Sequence, residues 1–569
     1  MREEPSADFG KRFAFDDDSE EIESISAGSA LGMAMMKAIG IPEYIDDNTG
    51  WDRSQRVLSP GNALKAICGT MFTENLKRSL TGISSFYGYS PVDTLFGAKV
   101  DHQSLNDVSL GRAMDTVFGG DLELLYYNIA SRAKAQYGII SKYYHLDGSN
   151  ITVVRDPNRE YGELDDGVPR PMLGHPKDGR TDRLQYNFEC VADDNGLPVY
   201  FKTHDGNTTD NRMDTDALEL MADFMSDNRI VAVADCKLVN EDTVNSLIWN
   251  NIPFVSKCPD NYAEKVRSFI VKEAMDKGFT PIGRIGRRND APEYGICDLD
   301  AVANGEKLRF IAYRESDIEH SLDYYRRKVG KDVNERLTKI AKKTFACEKD
   351  AVLETERHAK WLSERPYDVT FTPVCEMVKT KRKGRGRPRL GEEPPKDIEQ
   401  WHLSYTAAFN GTRAKKMAEE RDIRVIVTSL PRSDVTYEDV VDGITGGDVM
   451  RIYLQQWKIE NIFGEMKSKL GADSVFFESP KREAVMLFSI AAAVLVRRMM
   501  QLLVRREYGK GFGIPRDVTA YRMFCMIRNT SVRLDRDAGR VYLDGPAAEK
   551  RQLKAFLSIL GIDPSDLIG

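Results

Sequence analysis

Three carboxylates stand where a sequence can set charge at the rim of a buried core. Asp235 follows Ile230, Val231, Ala232, Val233 and Ala234, an apolar run with the signature of a central strand buried on both faces. Ligands of open α/β sheets gather beyond such strand ends. Asp147 closes an alternating stretch from Lys142 and precedes Gly148, Ser149 and Asn150, small turn-forming residues that let a substrate backbone approach. Glu460 lies in a helical pattern running from Arg451 to Leu470. At about 100° per residue, Tyr453, Gln456, Glu460 and Lys467 share a polar stripe roughly 60° wide, beside an apolar arc that includes Ile452, Ile459, Phe463 and Met466.

Two aspartates at strand ends and a glutamate at the border of a packed helix can form the oxygen-rich cluster that two hard divalent cations require. Such ions sit about 3.5 to 4 Å apart, one activating a water or 3′-hydroxyl and the other stabilising the leaving oxygen of a phosphodiester. Lys467 would then hold phosphate as a point charge and Tyr453 as a hydroxyl donor. Each residue also has a plainer reading: the aspartates as turn or helix-cap residues, the helix as an amphipathic surface element with solvated charges.

The elements that must position these groups follow from composition and periodicity. A chain of 569 residues is long enough for three or four domains, or for one fold with a large insertion. With 41% hydrophobic and 30% charged residues it is neither disordered nor fibrous. Residues 1–24 are polar and acidic and read as a flexible leader with no secretory h-region, which predicts a cytoplasmic protein. Residues 25–137 carry helical spacing, an all-α N-terminal domain for DNA binding or assembly. Within 138–260, a hairpin over 184–203 turning at Asn195 and Gly196 is followed by strand, helix and strand, which predicts a mixed sheet flanked by helices.

The β-α rhythm lapses over 261–423, read as a β-rich inserted domain with a charged helix at 318–343, and returns over 424–505. The apolar run at 484–496 falls short of the roughly 18 residues of a membrane span and predicts a buried helix. Residues 506–569 read as a helical C-terminal segment. The eight cysteines include no C-x-x-C pair, which disfavours a zinc ribbon or disulfide scaffold.

The net charge of −7 does not by itself suggest a nucleic-acid partner, so the distribution of charge matters more. Lys379, Lys381, Arg382, Lys383, Arg385, Arg387 and Arg389 are uninterrupted by any acid, and Gly384 to Arg389 has the form of an AT-hook. Glycine and proline keep such a segment extended, so its arginines fit the minor groove of A·T-rich DNA. The alternative is a solvated linker, given the Gly391-Glu-Glu-Pro-Pro395 that follows.

At these residues the sequence resembles the DDE transposases of bacterial insertion sequences, in the large branch named for insertion sequence four and among its long-chain members. That branch's helix signature is tyrosine, two residues, arginine, three residues, glutamate, six residues, lysine. Here it reads Tyr453, Gln456, Glu460 and Lys467, with glutamine in place of the arginine. Gly174 to Asp178 and Gly206 to Asp210 look like the family's segment between its first two acids, and Val233 to Leu238 like its second-aspartate motif. The resemblance implies an RNase-H-like core, a triad of Asp147, Asp235 and Glu460 as metal ligands, and two Mg²⁺ ions for which Mn²⁺ substitutes. It further implies terminal-inverted-repeat and target DNA as partners, a homodimer in the synaptic complex, no membrane, and cut-and-paste strand transfer. The alternatives are a metal-dependent nuclease without strand transfer and a non-catalytic, transposon-derived DNA-binding protein.

Overall fold

Side-chain caps start the helices that open the fold: Ser26 accepts from the Ser29 amide at the head of Ala27–Ala38, Ser59 caps Pro60–Gly69, Asn106 caps Asp107–Phe118 and Asp121 caps Leu122–Gln136. The structure is a computed structural model that describes residues 23–569 except 55, 74–79, 154–166, 175–178, 180, 236–238, 261, 263, 287–290, 380–396, 435–439, 473–476 and 510–512. The chain forms two units, residues 1–256, 437–442 and 452–569 in the first, and 257–436 and 443–451 in the second.

In the first unit the strands are β1 (Ser24–Ser26), β2 (Tyr143–Val153), β3 (Met172–Leu173), β4 (Leu184–Asp193), β5 (Pro198–His204), β6 (Val231–Ala234) and β7 (Phe254–Lys257). The main sheet runs β3-β4-β2-β6-β7, with β5 also paired to β4. β2 is antiparallel to β4 and parallel to β6, which is parallel to β7. All four residues of β6 are buried, as a strand covered on both faces must be. β2 does not turn at Gly148-Ser149-Asn150 as their composition predicts. Those residues pair with Glu189, Phe188 and Asn187, so the ladder overrides the local turn preference and β2 passes straight through.

The β4–β5 connection is where turn chemistry decides. The Asp193 side chain accepts from the amides of Asn195 at 3.0 Å and Leu197 at 2.8 Å, and Gly196 takes the left-handed conformation at φ 78°. Gly196→Ala should destabilise the fold by about 1 to 2 kcal/mol, since an L side chain is strained there. A chemical-denaturation midpoint unchanged from wild type would show that the turn tolerates a Cβ.

The apolar run at 484–496 lies within the helix Pro480–Arg506, close to the helix that the pattern from Arg482 to about Arg505 predicts. By length and apolarity alone this helix could cross a membrane, but 83% of its most apolar window is buried inside the protein. Apolar on all sides, it is a core helix. Phe488 packs edge-on against Tyr126 with ring centroids 5.8 Å apart, and the Tyr126 hydroxyl donates to the carbonyl of Ala491 at 3.1 Å.

In the second unit β8 (Thr280–Arg284), β9 (Glu293–Ala303), β10 (Glu306–Glu315) and β14 (Arg424–Thr428) form an antiparallel sheet in the order β14-β10-β9-β8. β9 and β10 turn on Asn304 and Gly305, both at positive φ, the requirement of a tight two-residue hairpin. A second sheet, β11-β13-β12, contains β11 (Thr344–Phe345), β12 (Tyr367–Lys379) and β13 (Asp397–Phe409). It packs on Val333, Leu337 and Ile340 at helical spacing, with Ala351 and Leu403. The charged helix expected at 318–343 is interrupted: Glu319–Tyr324 and Gly330–Ala341 flank a wider turn at Tyr325–Val329. The Tyr367 hydroxyl donates to the carbonyls of Tyr325 and Arg326 there, each at 3.2 Å.

The C-terminal segment, expected to be helical, is so at Ala520–Cys525 and Ala547–Leu560 but also forms the hairpin β15 (Ser531–Asp535) and β16 (Arg540–Asp544), with β1 paired to β15. Alternation of Val532 and Leu534 with polar neighbours, and the turn at 536–539, account for the strands.

Candidate active site

Alternation along β2 sets Tyr143, His145, Asp147 and Ser149 on one face. A helical run meets that face at both ends. The Tyr143 hydroxyl donates to Gln455 Oε1 at 2.8 Å, and Lys467 Nζ donates to Ser149 Oγ at 2.8 Å. Asp147 therefore lies between two points anchored to the run. It stands opposite Cys190 of β4 and one residue past the Leu146–Ala234 pair of the parallel β2–β6 ladder. Asp235 follows Ala234 directly, so Asp147, inside β2, and Asp235, just past the end of β6, lie next to each other on adjacent strands. The Tyr453 hydroxyl reaches Asp235 Oδ1 at 3.4 Å, long and therefore weak for an O–H···O contact. Ser256 Oγ donates to the Asp235 carbonyl at 2.9 Å and ties that strand end to β7.

The helical run is not uniform. After Tyr453 it tightens over Leu454–Gln456, is regular over Trp457–Gly464 and widens over Glu465–Lys469. Glu460 is exposed and midway between Tyr453 and Lys467, with no hydrogen-bond or ion-pair partner among the described residues. Helical periodicity puts it on the stripe of those two residues. Among the described residues, no three His, Cys, Asp or Glu side chains lie close enough together to hold a metal ion. The structure thus sets Asp147 and Asp235 on neighbouring strands, with Tyr453 against Asp235 and with Glu460 and Lys467 on the same helical run, and no three-carboxylate cluster is closed among the described residues. Mutual repulsion of like charges opposes such closure when nothing positive lies between them.

Gln456 is half-buried and its side chain makes no hydrogen bond among the described residues. Its neighbour Gln455 is the engaged one, accepting from Tyr143 and from Lys458, while Lys458 also donates to the Asp194 carbonyl at 2.6 Å. Lys381, Arg382, Lys383, Arg385, Arg387 and Arg389 lie outside the described residues, as do His175 and Lys177; Lys379 is exposed at the end of β12.

Two features here escaped the sequence reading. His145 is fully buried, and neither ring nitrogen has a hydrogen-bond partner among the described residues. Burial, with the Lys458 charge adding to it, pulls its pKa down to about 3 and keeps it neutral. Burial and the charge of Asp194 push the Tyr143 hydroxyl up to about 12, so it stays a donor. Behind the helical run, buried Glu465 accepts from Arg497 Nε at 2.7 Å, and Arg498 Nε stands 2.9 Å away as an ion pair without hydrogen-bond geometry. Arg497 and Arg498, closing an otherwise apolar run, were the available signal, because buried arginines call for a buried acid.

Residues 145–496 match the family model described as "Transposase DDE domain", which spans more than half of the chain. Residues 26–131, the capped helices of the first unit, match a second model described as "Domain of unknown function (DUF4277)". A comparison with curated proteins found no match. Members of the DDE family generally use divalent metal ions and act on DNA. The chain belongs to the DDE transposase family.

Proposed function

We propose that this chain is a cut-and-paste transposase of the insertion-sequence-four-like branch, binding terminal inverted repeats and cleaving and joining DNA with Asp147, Asp235 and Glu460. The observation that carries the reading is the helical run anchored at Gln455 on Tyr143 and at Lys467 on Ser149, with the Tyr453 hydroxyl reaching Asp235 and Glu460 midway between Tyr453 and Lys467. The strand order and directions of the first unit, three antiparallel strands followed by two parallel ones, support an RNase-H-like core. The second unit, entered after β7 and left just before Tyr453, supports an inserted domain.

The donor set fits two Mg²⁺ ions, or Mn²⁺ in their place, since all three side chains are hard carboxylates and two of them sit on adjacent strands, one residue past the Leu146–Ala234 pair. Asp147, Asp235 and Glu460 would hold the ions, which when bound activate a water or 3′-hydroxyl and stabilise the leaving oxygen. The chain's own groups supply the rest. Lys467, fixed by Ser149, presents a cation for a phosphate oxygen, and the Tyr453 hydroxyl orients Asp235. Gln456 extends neutral donors where the branch usually has an arginine. Lys381, Arg382, Arg385, Arg387 and Arg389 would follow the minor groove of the bound DNA. Two protomers would pair on two transposon ends, in the cytoplasm.

The test is an assay with a labelled donor end bearing a 3′-hydroxyl, a plasmid target and Mg²⁺ or Mn²⁺. Joined product is the expected result. Cleavage without joining would make the protein a nuclease, and neither would make it a DNA-binding protein that has lost its chemistry.

A further inference from the structure

We propose that the cleft along residues 326–342 of the second unit is a docking groove for the sugar-phosphate backbone of a DNA duplex. This rests on the reading above only in taking DNA as the partner. The cleft is a shallow surface hollow of about 660 Å³, open to solvent and lined by Arg326, Arg327, Lys331, Lys339 and Lys342 against a single carboxylate, Glu335. Its rows follow from helix geometry, in which residues four apart form a ridge inclined to the helix axis. One row is Arg326, Gly330, Asn334, Thr338 and Lys342, and the adjacent row is Arg327, Lys331, Glu335 and Lys339. Cations thus stand at both ends of a row whose middle is small and uncharged. At 1.5 Å per residue the row is about 24 Å long, or about seven base-pair steps of duplex.

The opposite side of the same helix is fixed, because Val333, Leu337 and Ile340 are buried against the second sheet. At one end Tyr367 packs so closely on Gly330 that any side chain there would collide with its hydroxyl. The cations therefore stand on a rigid element, and several are uncompensated. Arg326, Lys339 and Lys342 have no carboxylate partner among the described residues. The pairs that do form, Arg327 with Asp323 at 3.2 Å and Lys331 with Glu335 at 4.0 Å, are solvent-exposed and therefore weak, so a phosphate can displace them.

A solvated helix face would mix both signs, whereas a duplex backbone favours a concave, one-signed surface with neutral donors between the charges. In a chain of net charge −7, only such a local surplus attracts DNA. The sequence that joins β12 to β13 in the same unit carries the basic run ending at Arg389, which favours a duplex over a small anion as the occupant.

The experiment is the salt dependence of duplex binding by the full-length chain with Lys331→Gln, Lys339→Gln and Lys342→Gln combined. The slope of log K against log salt should fall by about 2 to 3, at roughly 0.9 per lost phosphate contact. The loss should be equal on donor-end and unrelated duplexes, since phosphate contacts carry no sequence information. A control with Lys265→Gln and Lys272→Gln, exposed lysines of the helix Glu264–Lys277 outside the cleft, should keep the wild-type slope.

On the wild-type protein, duplex should protect Lys331, Lys339 and Lys342 from acetylation, and a millimolar nucleoside triphosphate should not. An unchanged slope in a variant with native circular dichroism, an equal loss in the control, or protection by the triphosphate alone would overturn the proposal. Wild-type joining activity separates this from the function reading. Joining with an unchanged slope in the variant removes the groove alone, and a reduced slope without wild-type joining removes strand transfer alone.

Discussion

Asp147→Asn, Asp235→Asn and Glu460→Gln should each reduce donor-end cleavage and joining by on the order of 10³-fold or more while leaving DNA binding nearly unchanged. Each substitution keeps the size of the side chain and removes the charge that a divalent cation requires. Binding survives because contacts from lysine and arginine to phosphate supply most of the affinity. Glu460 gives the cleanest case: it is exposed and has no partner among the described residues, so its replacement disturbs no packing. Asp147, within β2, and Asp235, at the end of β6, are half-buried, and a thermal melt must accompany their assays. Cleavage within tenfold of wild type in any one variant would remove that residue from the proposed triad. Loss of binding in step with a lowered melting temperature would instead assign it a structural role.

What the sequence revealed about this site differed from residue to residue. Asp235 was legible because a strand buried on both faces must be apolar throughout, so the first acid beyond residues 230–234 marks its end. Asp147 was legible for a partly mistaken reason: the expected turn at Gly148 is a continuing strand, and the residue owes its place to the ladder with β4 and β6. The stripe of Tyr453, Glu460 and Lys467 came from ideal helical periodicity and agrees with the contacts of Tyr453 and Lys467, although the run tightens at Leu454–Gln456 and widens at Glu465–Lys469. Those departures depend on tertiary contacts and leave no trace in local spacing. They also explain Gln455, which the ideal wheel sets aside and the structure engages with Tyr143 and Lys458. The hairpin of β15 and β16 was overlooked because its strands are short and flanked by helical patterns, where a period of two has few repeats to show itself.

The widened turn that escaped periodicity leads to the second large expected effect. Glu465→Ala should destabilise the first unit by about 3 to 5 kcal/mol, the cost of leaving a buried charge without its partner. The orphan would be Arg497, which is 4% exposed, lies 4.8 Å from the Phe524 ring centroid and, among the described residues, makes only a long 3.4 Å contact to the Met71 carbonyl besides its bond to Glu465. Replacing both members, Glu465→Met with Arg497→Met, should cost less than Glu465→Ala, because only the more exposed Arg498, which also donates to the Asn461 carbonyl at 3.0 Å, then lacks its acid. Urea denaturation of the three proteins checks this, and a double variant less stable than the single would show that shape rather than charge governs the site.

The pH dependence has a definite sign. Burial raises the Glu465 carboxyl, but Arg498 and Arg497 outweigh it and hold the group below its ordinary value. A depressed folded-state pKa means that the stabilisation is complete above the unfolded carboxyl value of about 4.3 and is lost as pH falls through the folded one. The stability gap between wild type and Glu465→Gln should therefore be constant from pH 8 to about pH 5 and shrink only below that. A gap that widens on acidification would mean that the carboxyl is held protonated, with the arginines compensated by something else. Because Glu465 begins the widened turn five positions beyond Glu460, the same variants should also weaken cleavage through the loss of helix position, and restoring the fold with a stabilising osmolyte should recover part of that activity.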